Sequence, residues 1–312
     1  MTDQPDSPPP FAPGELRRRA RAVAERALHA GALLPIATDA TRIEADGITW
    51  PVRILARLEA KEAARRLQQT QAAKGGRLPD PFLPPEPDLT VGPVSPTHTC
   101  VLNKFRVIDD HLLIVTNHFE HQECLLTADD FDALWRCMAG FGGLGFYNGG
   151  EVAGASQPHK HLQLVPLPLD EGLPHPVPVQ PLLPADGAPG VLRRSPRLPF
   201  CHAWVRLGFG PDTPLAERVA VSLDQYRWLL AATGVDGEDR DGCHRQTRPY
   251  NLLVTEEWML VVPRAREDCR GISINALGYA GGFLVRDEVQ LDTLRRVGPL
   301  RALRETGLPP CP

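Results

Sequence analysis

No run of 18 or so uninterrupted apolar residues occurs in the 312-residue chain, so no membrane-spanning helix is expected. Met1 to Pro13 is acidic and proline-rich, with no basic start leading into an apolar core, and no secretory leader is expected either. No two of the seven cysteines (Cys100, Cys124, Cys137, Cys201, Cys243, Cys269, Cys311) form a C-x-x-C pair. Their number is odd and the chain is long enough to bury its own core. The expectation is reduced thiols in a cytoplasmic protein, not a disulfide framework. An excess of positive charge is also missing: 34 Lys and Arg stand against 38 Asp and Glu, a net charge of -4. That disfavours a nucleic-acid polymer as partner and leaves room for a local pocket that binds a small polyphosphate. No G-x-x-x-x-G-K-[ST] occurs, which excludes a P-loop mechanism.

What is present reads as α+β with antiparallel sheet. Residues 1–13 are expected to be a disordered tail. Leu16, Ala20, Val23, Ala27 and Leu28 fall at helical spacing, and Arg17 to Arg19 sit on the solvated face of that helix. Residues 47–58 have strand character. Thr99 to Val107 and His111 to Thr116 form a hairpin about Asp109 and Asp110. Thr127 and Asp130 make a capping box for a helix whose Phe131, Leu134, Trp135 and Met138 recur at i, i+3, i+4 and i+7. Residues 14–170 are expected to be the N-terminal domain, the Pro-, Gly- and Asp-dense stretch 171–199 a linker, and residues 200–312 a C-terminal domain. The latter holds a helix from about Pro214 to Ala232, a polar loop over 234–248, strands 250–255, 258–262 and 282–285, and a final helix from about Asp287 to Glu305. Trp135, Trp204 and Trp258 read as core. The run from His111 to Gly150 and the run from Met259 to Gly282 echo each other weakly, through a repeated unit or by chance.

Gly140 to Gly145 satisfies G-x-G-x-x-G, but these glycines end a helix and lead into a strand, the reverse of a dinucleotide fingerprint. The chemistry lies further on. In a strand through His159, Lys160, His161, Leu162 and Gln163, alternate residues share a face, so His159, His161 and Gln163 point one way and Leu162 and Leu164 the other. A neutral imidazole is a nucleophile at neutral pH, and its attack on phosphorus splits one difficult transfer into two. The Gln163 amide, Ser156, Gln157 and backbone N–H groups near Gly154 would steady the phosphate oxygens. Lys160 would point away from His161. Read from the residues alone, two histidines completed by distant ligands as a zinc site, or two core histidines, stay open. Glutamine in third place and the absence of a cysteine pair favour the phosphate-facing row.

This segment resembles the His-x-His-x-Gln branch of the histidine-triad superfamily, which includes galactose-1-phosphate uridylyltransferase and the diadenosine tetraphosphate phosphorylases (ATP adenylyltransferases). Pro81 to Pro85, Leu102 to Phe105, His111 to Thr116, Phe119 to Gln122, Tyr147 to Gly150, Gly154 to Gln157, Tyr250 to Leu253 and Ser273 to Arg286 are similar to the phosphorylase side. The resemblance spans roughly residues 47–300. It implies a histidine-triad-like fold with two lobes of antiparallel sheet and packed helices. It also implies nucleotidyl transfer: His161 attacks diadenosine tetraphosphate, carries AMP and yields it to inorganic phosphate, the products being ATP and ADP. Transfer to a sugar 1-phosphate is the alternative within the branch, and a non-catalytic nucleotide-binding protein is the alternative outside it. By the same resemblance His159 tunes His161. Lys61, Asn103, Lys104, Asn148, Gly154, Ala155, Ser156, Gln157, Gln163, Asn275, Ala276, Leu277, Gly282 and Arg286 would hold the nucleotide and phosphates. Three of these positions depart from the pattern. Ala276 and Leu277 stand where a hydroxyl residue is usual, leaving only backbone contacts there, and Arg286 stands in place of lysine, with the same charge in a different shape. No tightly bound cofactor and no protein-held metal is expected, although Mg²⁺ accompanying the polyphosphate would neutralise charge.

Overall fold

The computed structural model of the chain describes residues 11–55, 80–184 and 187–311. Lys61 lies outside the described residues. Phe11, placed by the sequence in a disordered tail, packs against Gly140 and brings the chain into helix α1 (Glu15–His29). Strands β1 (Thr38–Ala45) and β2 (Ile48–Leu55) follow as a hairpin. Then come β3 (Thr90–Pro93), β4 (His98–Leu102), β5 (Leu112–Thr116), helix α2 (Ala128–Phe141), β6 (Leu144–Gly149) and β7 (His161–Val165). The second half contributes β8 (Ala203–Arg206), α3 (Leu215–Ala232), β9 (Gly237–Arg240), β10 (Cys243–Gln246), β11 (Tyr250–Val254) and β12 (Trp258–Pro263). It closes with the short pair β13 (Asp268–Cys269) and β14 (Ile272–Ser273), α4 (Ala276–Ala280), β15 (Phe283–Val285), α5 (Glu288–Val297) and α6 (Pro299–Thr306).

Eight strands make one antiparallel sheet in the order β3-β4-β5-β7-β6-β11-β12-β8. The two halves of the sequence join through β6 and β11, where Asn148 is paired with Asn251. They interlock a second time, because β15 pairs in parallel with β2 of the N-terminal hairpin. Strands β5, β6, β7, β11 and β12 are buried along their whole length, which is why they read as near-continuous apolar runs. One face carries Leu162, Leu164, Tyr147, Leu252 and Met259 and is covered by α1, α2 and α3. The other carries Phe146, Val165, Leu253 and Val262 and packs against β2, β15 and α4 to α6. The α+β, antiparallel expectation therefore holds, with the two halves fused into one sheet.

Several sequence readings are corrected. Residues 234–248 form the β9–β10 hairpin, whose alternation is masked by polar composition. The final helix is two, broken where Gly298 takes φ 86° ahead of Pro299. The proline-rich stretch 171–199 is no free linker: Val177, Val179, Leu182 and Leu183 are buried in the second core, and the Val179 N–H donates to the Ala280 carbonyl. The echo fails, since residues 144–149 are a strand and residues 276–280 a helix. Cys124 and Cys243 are joined in a disulfide, as are Cys201 and Cys311. The fold brings together residues 119 and 110 positions apart, which a count of cysteines cannot foresee; Cys100, Cys137 and Cys269 stay free. No helix of the described residues is long and apolar enough to cross a membrane.

Candidate active site

His161 opens β7 in the middle of the sheet, on the face away from α2. Its ring is buried, and its Nδ1 lies 2.8 Å from the His159 carbonyl oxygen. A carbonyl only accepts, so Nδ1 carries the hydrogen and Nε2 presents a bare lone pair. No described residue hydrogen-bonds to Nε2. Burial, partly offset by the His159 carbonyl, pulls the His161 pKa down from 6.5 to about 4. At neutral pH the ring is unprotonated, with its tautomer fixed.

His159 is tied down at both nitrogens. Nδ1 lies 2.7 Å from the Asp80 carboxylate, and Nε2 lies 2.8 Å from the Thr116 hydroxyl and 2.9 Å from its carbonyl. Phe82 packs on both imidazoles, with ring centroids 5.5 Å and 5.4 Å away, so the two rings share a side as strand alternation requires. The only link from His159 to the His161 ring runs through the His159 backbone carbonyl, among the described residues, and not through its imidazole. With three of the four ring nitrogens engaged, the pair does not converge on a metal, and no group of three His, Cys, Asp or Glu among the described residues could hold one.

Lys160 points to the opposite face. Its ammonium is buried against α2, 2.7 Å from Asp130 and 3.1 Å from Glu120. Asp130 also caps α2 through the Thr127 N–H at 2.7 Å. Desolvation acts most strongly on Asp130, but the attraction and hydrogen bonds of Lys160 and His98 together outweigh it and its pKa falls, while the pKa of Lys160 rises against its own desolvation. This ion pair clamps the histidine strand to the helix layer.

Two side-chain amides flank His161 on its own face, and both are locked by donors and acceptors whose sense is unambiguous. Gln163 Oε1 is 2.9 Å from His111 Nε2, His111 Nδ1 is 3.2 Å from Asn103 Nδ2, and Asn103 Oδ1 accepts from the Phe105 N–H. Because a backbone N–H can only donate, Asn103 must offer its NH₂ to His111. His111 in turn donates from Nε2 to the oxygen of Gln163. The Gln163 NH₂ is then left without a described partner. Burial lowers the pKa of His111 to about 4 and keeps it neutral for this part. Gln122 fixes the backbone: it accepts from the His161 N–H at 2.8 Å and donates to the carbonyls of Asn148 and His161. It thereby replaces ladder bonds where the β6–β7 pairing stops at Phe146 and Gln163.

The loop 154–157 enters this face beside α4. Gly154 takes φ 94°, and a Cβ there would sit 2.6 Å from that of Asn275, so only glycine lets the C-terminal half approach so closely. The N–H groups of Gly154 and Ala155 are spent inside the turn, on Glu151 and Gly150. Those of Ser156 and Gln157 have no described partner. The donors of this loop are thus displaced by two residues from the position near Gly154 that the sequence suggested. Asn275 caps its own helix by accepting from the Leu277 N–H, and the Ala276 N–H is taken by Asn148. Gly282 donates its N–H to the Leu277 carbonyl and so shapes the end of α4.

Two expected phosphate ligands are placed otherwise. Lys104 is held by Glu86 at 2.7 Å. Arg286 is exposed beside Gly271, with no contact to the residues around His161. Asp80, Thr116, His111, Gln122, Asn251 and Arg264 had no assigned role in the sequence. Four of them fall within stretches that carried the resemblance, but only the fold shows whom they touch. A cavity of about 480 Å³, lined among others by Trp204, Trp258, Arg197 and Arg206, lies elsewhere and contains none of these site residues.

The antiparallel sheet, its helix layer and the locked His-x-His-x-Gln strand define an α+β nucleotidyltransferase of the histidine-triad type. Residues 6–185 match the family described as Ap4A phosphorylase N-terminal domain, and residues 196–309 match ATP adenylyltransferase C-terminal domain. The chain belongs to the Ap4A phosphorylase family. It is 30% identical over 261 residues to Saccharomyces cerevisiae diadenosine 5',5'''-P1,P4-tetraphosphate phosphorylase 2, covering 74% of this chain and 76% of that protein. Protein APA1 of the same yeast is 28% identical over 233 residues, covering 67% and 69%. Among solved structures, yeast Ap4A phosphorylase Apa2 aligns with a TM-score of 0.76 at 22% identity, over 97% of this chain and 100% of that one. Apa2 in complex with Ap4A gives 0.73 at 22% identity, over 97% and 100%.

Proposed function

We propose that the protein cleaves diadenosine tetraphosphate with inorganic phosphate, giving ATP and ADP, and runs the reverse adenylyl transfer, through AMP carried on His161. The observation that supports this most directly is the bare, buried Nε2 of His161, with Nδ1–H held by a carbonyl. Nε2 attacks the α-phosphorus, the bond to the bridging oxygen breaks, and ATP leaves with those electrons. A phosphate oxygen then attacks the same phosphorus, the N–P bond breaks, and ADP forms. The Nδ1 hydrogen stays in place through both steps.

In this reading Gln163 and Asn148 donate to non-bridging oxygens, joined by the Ser156 and Gln157 N–H groups. Lys61, Mg²⁺ travelling with the polyphosphate, or both supply the counter-charge that Lys104 and Arg286 do not. The family names of both halves and the yeast relative's phosphorylase name support the substrate.

The test is incubation with diadenosine tetraphosphate with and without phosphate, following nucleotides by chromatography and the protein by intact mass. ATP and acid-labile AMP-protein are expected without phosphate, limited to one turnover, and ADP only with it. His161→Ala should form no adduct. Sustained ATP and AMP release without phosphate would replace phosphorolysis by hydrolysis. Undiminished turnover in His161→Ala would remove the mechanism.

A further inference from the structure

Arg264 follows β12 with a side chain that is 2% exposed and, among the described residues, makes no salt bridge, the Glu267 carboxylate acting on it only from a distance. Its hydrogens go to oxygens that carry no charge. Nη1 donates to Asn251 Oδ1 at 2.7 Å and to the Ala153 carbonyl at 3.4 Å. Nη2 donates to the carbonyls of Arg266 and Glu267, and Nε to that of Thr306. The Tyr279 ring lies 5.0 Å from the guanidinium carbon. A buried cation held this way is desolvated with no salt bridge to offset the cost. Core packing alone gives no reason for it.

Its principal side-chain partner leads to the active site. Asn251 uses its oxygen on Arg264, and its Nδ2 donates to the Ala153 carbonyl at 2.8 Å and to Asn148 Oδ1 at 2.9 Å. Asn148 Oδ1 also accepts from the Ala276 N–H at 3.0 Å. Both ends are fixed by groups with one possible sense. A guanidinium only donates and a carbonyl only accepts, so Asn251 cannot flip. The Ala276 N–H only donates, so it and the Asn251 NH₂ together hold Asn148 with its oxygen toward them. With its oxygen doubly engaged toward the C-terminal half, Asn148 is left with an NH₂ that has no described partner. It lies on the same sheet face as His161 and Gln163, on the strand next to His161.

We infer that Arg264 and Asn251 of the C-terminal half are positioning residues for adenylyl transfer: they hold Asn148 with its NH₂ toward the phosphate, as Asn103 and His111 hold Gln163. This rests on the proposed reading, in which Asn148 meets the substrate. The arrangement also assigns the C-terminal half a duty beyond covering the sheet, because the sense of a donor on β6 is set jointly by the Ala276 N–H of α4 and, through Asn251 on β11, by Arg264. The buried charge gains purpose in the same way. Its field reaches the turn at Ala153, immediately before the loop that would receive an anionic ligand.

The discriminating variant is Asn251→Asp. The new carboxylate forms an ion pair with Arg264, so the fold is retained, but it has no hydrogen for Asn148. Asn148 then meets a carboxylate on one side and the Ala276 N–H on the other, so its NH₂ reaches the carboxylate only by giving up the Ala276 bond, and its oxygen holds its place only against the carboxylate; either way the donor is displaced from the substrate. Single-turnover AMP-protein formation should fall about 100-fold, the scale on which one preorganised donor acts on a transfer step. The melting temperature should stay at or above that of the parent. Asn148→Ala should lose a similar factor, and adding Asn251→Asp to it should cost less than about threefold more, because the donor it acts through is already gone. Arg264→Lys, which still donates to Asn251, should recover part of what Arg264→Met loses; if Arg264→Met fails to fold, the Asn251→Asp result stands alone.

Parental rates in Asn251→Asp beside a slow Asn148→Ala would overturn the relay and leave the proposed reaction intact. Equal losses from Asn251→Asp with and without Asn148 would overturn it too. Parental rates in Asn148→Ala would instead remove Asn148 from the substrate, and the relay with it.

Discussion

The pH dependence of the proposed adenylyl transfer to His161 tests the central feature of the site, an imidazole kept neutral by burial. An ordinary imidazole of pKa 6.5 is roughly 75% neutral at pH 7 and about 3% neutral at pH 5. Its attack would slow about 25-fold between those values. With the His161 pKa near 4, the ring is still about 90% neutral at pH 5. The rate should therefore change by less than about 1.5-fold over the same interval and fall only as pH approaches 4. Diadenosine tetraphosphate suits the measurement, because every phosphate in its chain bridges two neighbours or a neighbour and a ribose, and none titrates near neutrality. Inorganic phosphate does titrate there and must be left out. The assay is single-turnover formation of AMP-protein, quenched and read by intact mass, in constant-ionic-strength buffers from pH 4 to pH 8. A descending limb centred between pH 6 and 7 would refute the claim that burial and the His159 carbonyl fix a neutral ring.

The same burial carries a cost in stability with a definite sign. His161 and His111 are held near pKa 4 when folded and return toward 6.5 when unfolded, so below pH 6.5 the unfolded chain takes up protons that the folded one refuses. Stability is lost as pH falls from about 6.5 to 4, by up to about 2 kcal/mol per histidine at pH 5, and denaturant melts at pH 7 and pH 5 should show it. Unchanged midpoints would mean that the rings are hydrated. Lys160→Met should cost about 3–5 kcal/mol, because it leaves Asp130 charged and buried beneath the strand. Urea unfolding of the variant measures this, and a loss under about 1 kcal/mol, the scale of an exposed pair, would show that the pair is not desolvated.

The histidine strand was legible in the sequence because its signal is local. Period two put His159, His161 and Gln163 on one face and Lys160 on the other, and the structure has Lys160 buried against Asp130, a residue already marked by its capping box. The α2 helix, the β4–β5 hairpin and the β11–β12 hairpin were equally plain, since each is written in contiguous periodicity. What the sequence hides is long-range. Asp80 meets His159 across 79 positions, Asn251 meets Asn148 across 103, and Arg264 meets Ala153 across 111. No spacing rule reaches that far. The β9–β10 hairpin is hidden for a different reason: Glu238, Asp239 and Arg240 are exposed, so no buried face imprints an apolar alternation. Lys104 and Arg286 show the converse, a residue type matched to a role while the structure places the charge beside Glu86, or in an exposed position beside Gly271.

The choice of a carbonyl as the partner of His161 Nδ1 follows from the demands of two successive transfers. In the proposed reaction the ring gains positive character when Nε2 bonds to phosphorus, and burial would penalise that charge. The His159 carbonyl, 2.8 Å from Nδ1, is a dipole already oriented to stabilise it. A carboxylate at that position would stabilise it more, but would raise the resting pKa and protonate part of the nucleophile near neutral pH. A carboxylate could also draw off the Nδ1 hydrogen, leaving an imidazolide that departs poorly from phosphorus. The carbonyl cannot take that hydrogen, so the ring stays a good leaving group for the second transfer. Among the described residues, the carboxylate whose charge reaches the His161 ring, Asp80, is directed to His159 instead. Its attraction reaches His161 only as a minor influence, well below that of burial, and the nucleophile remains neutral and transferable.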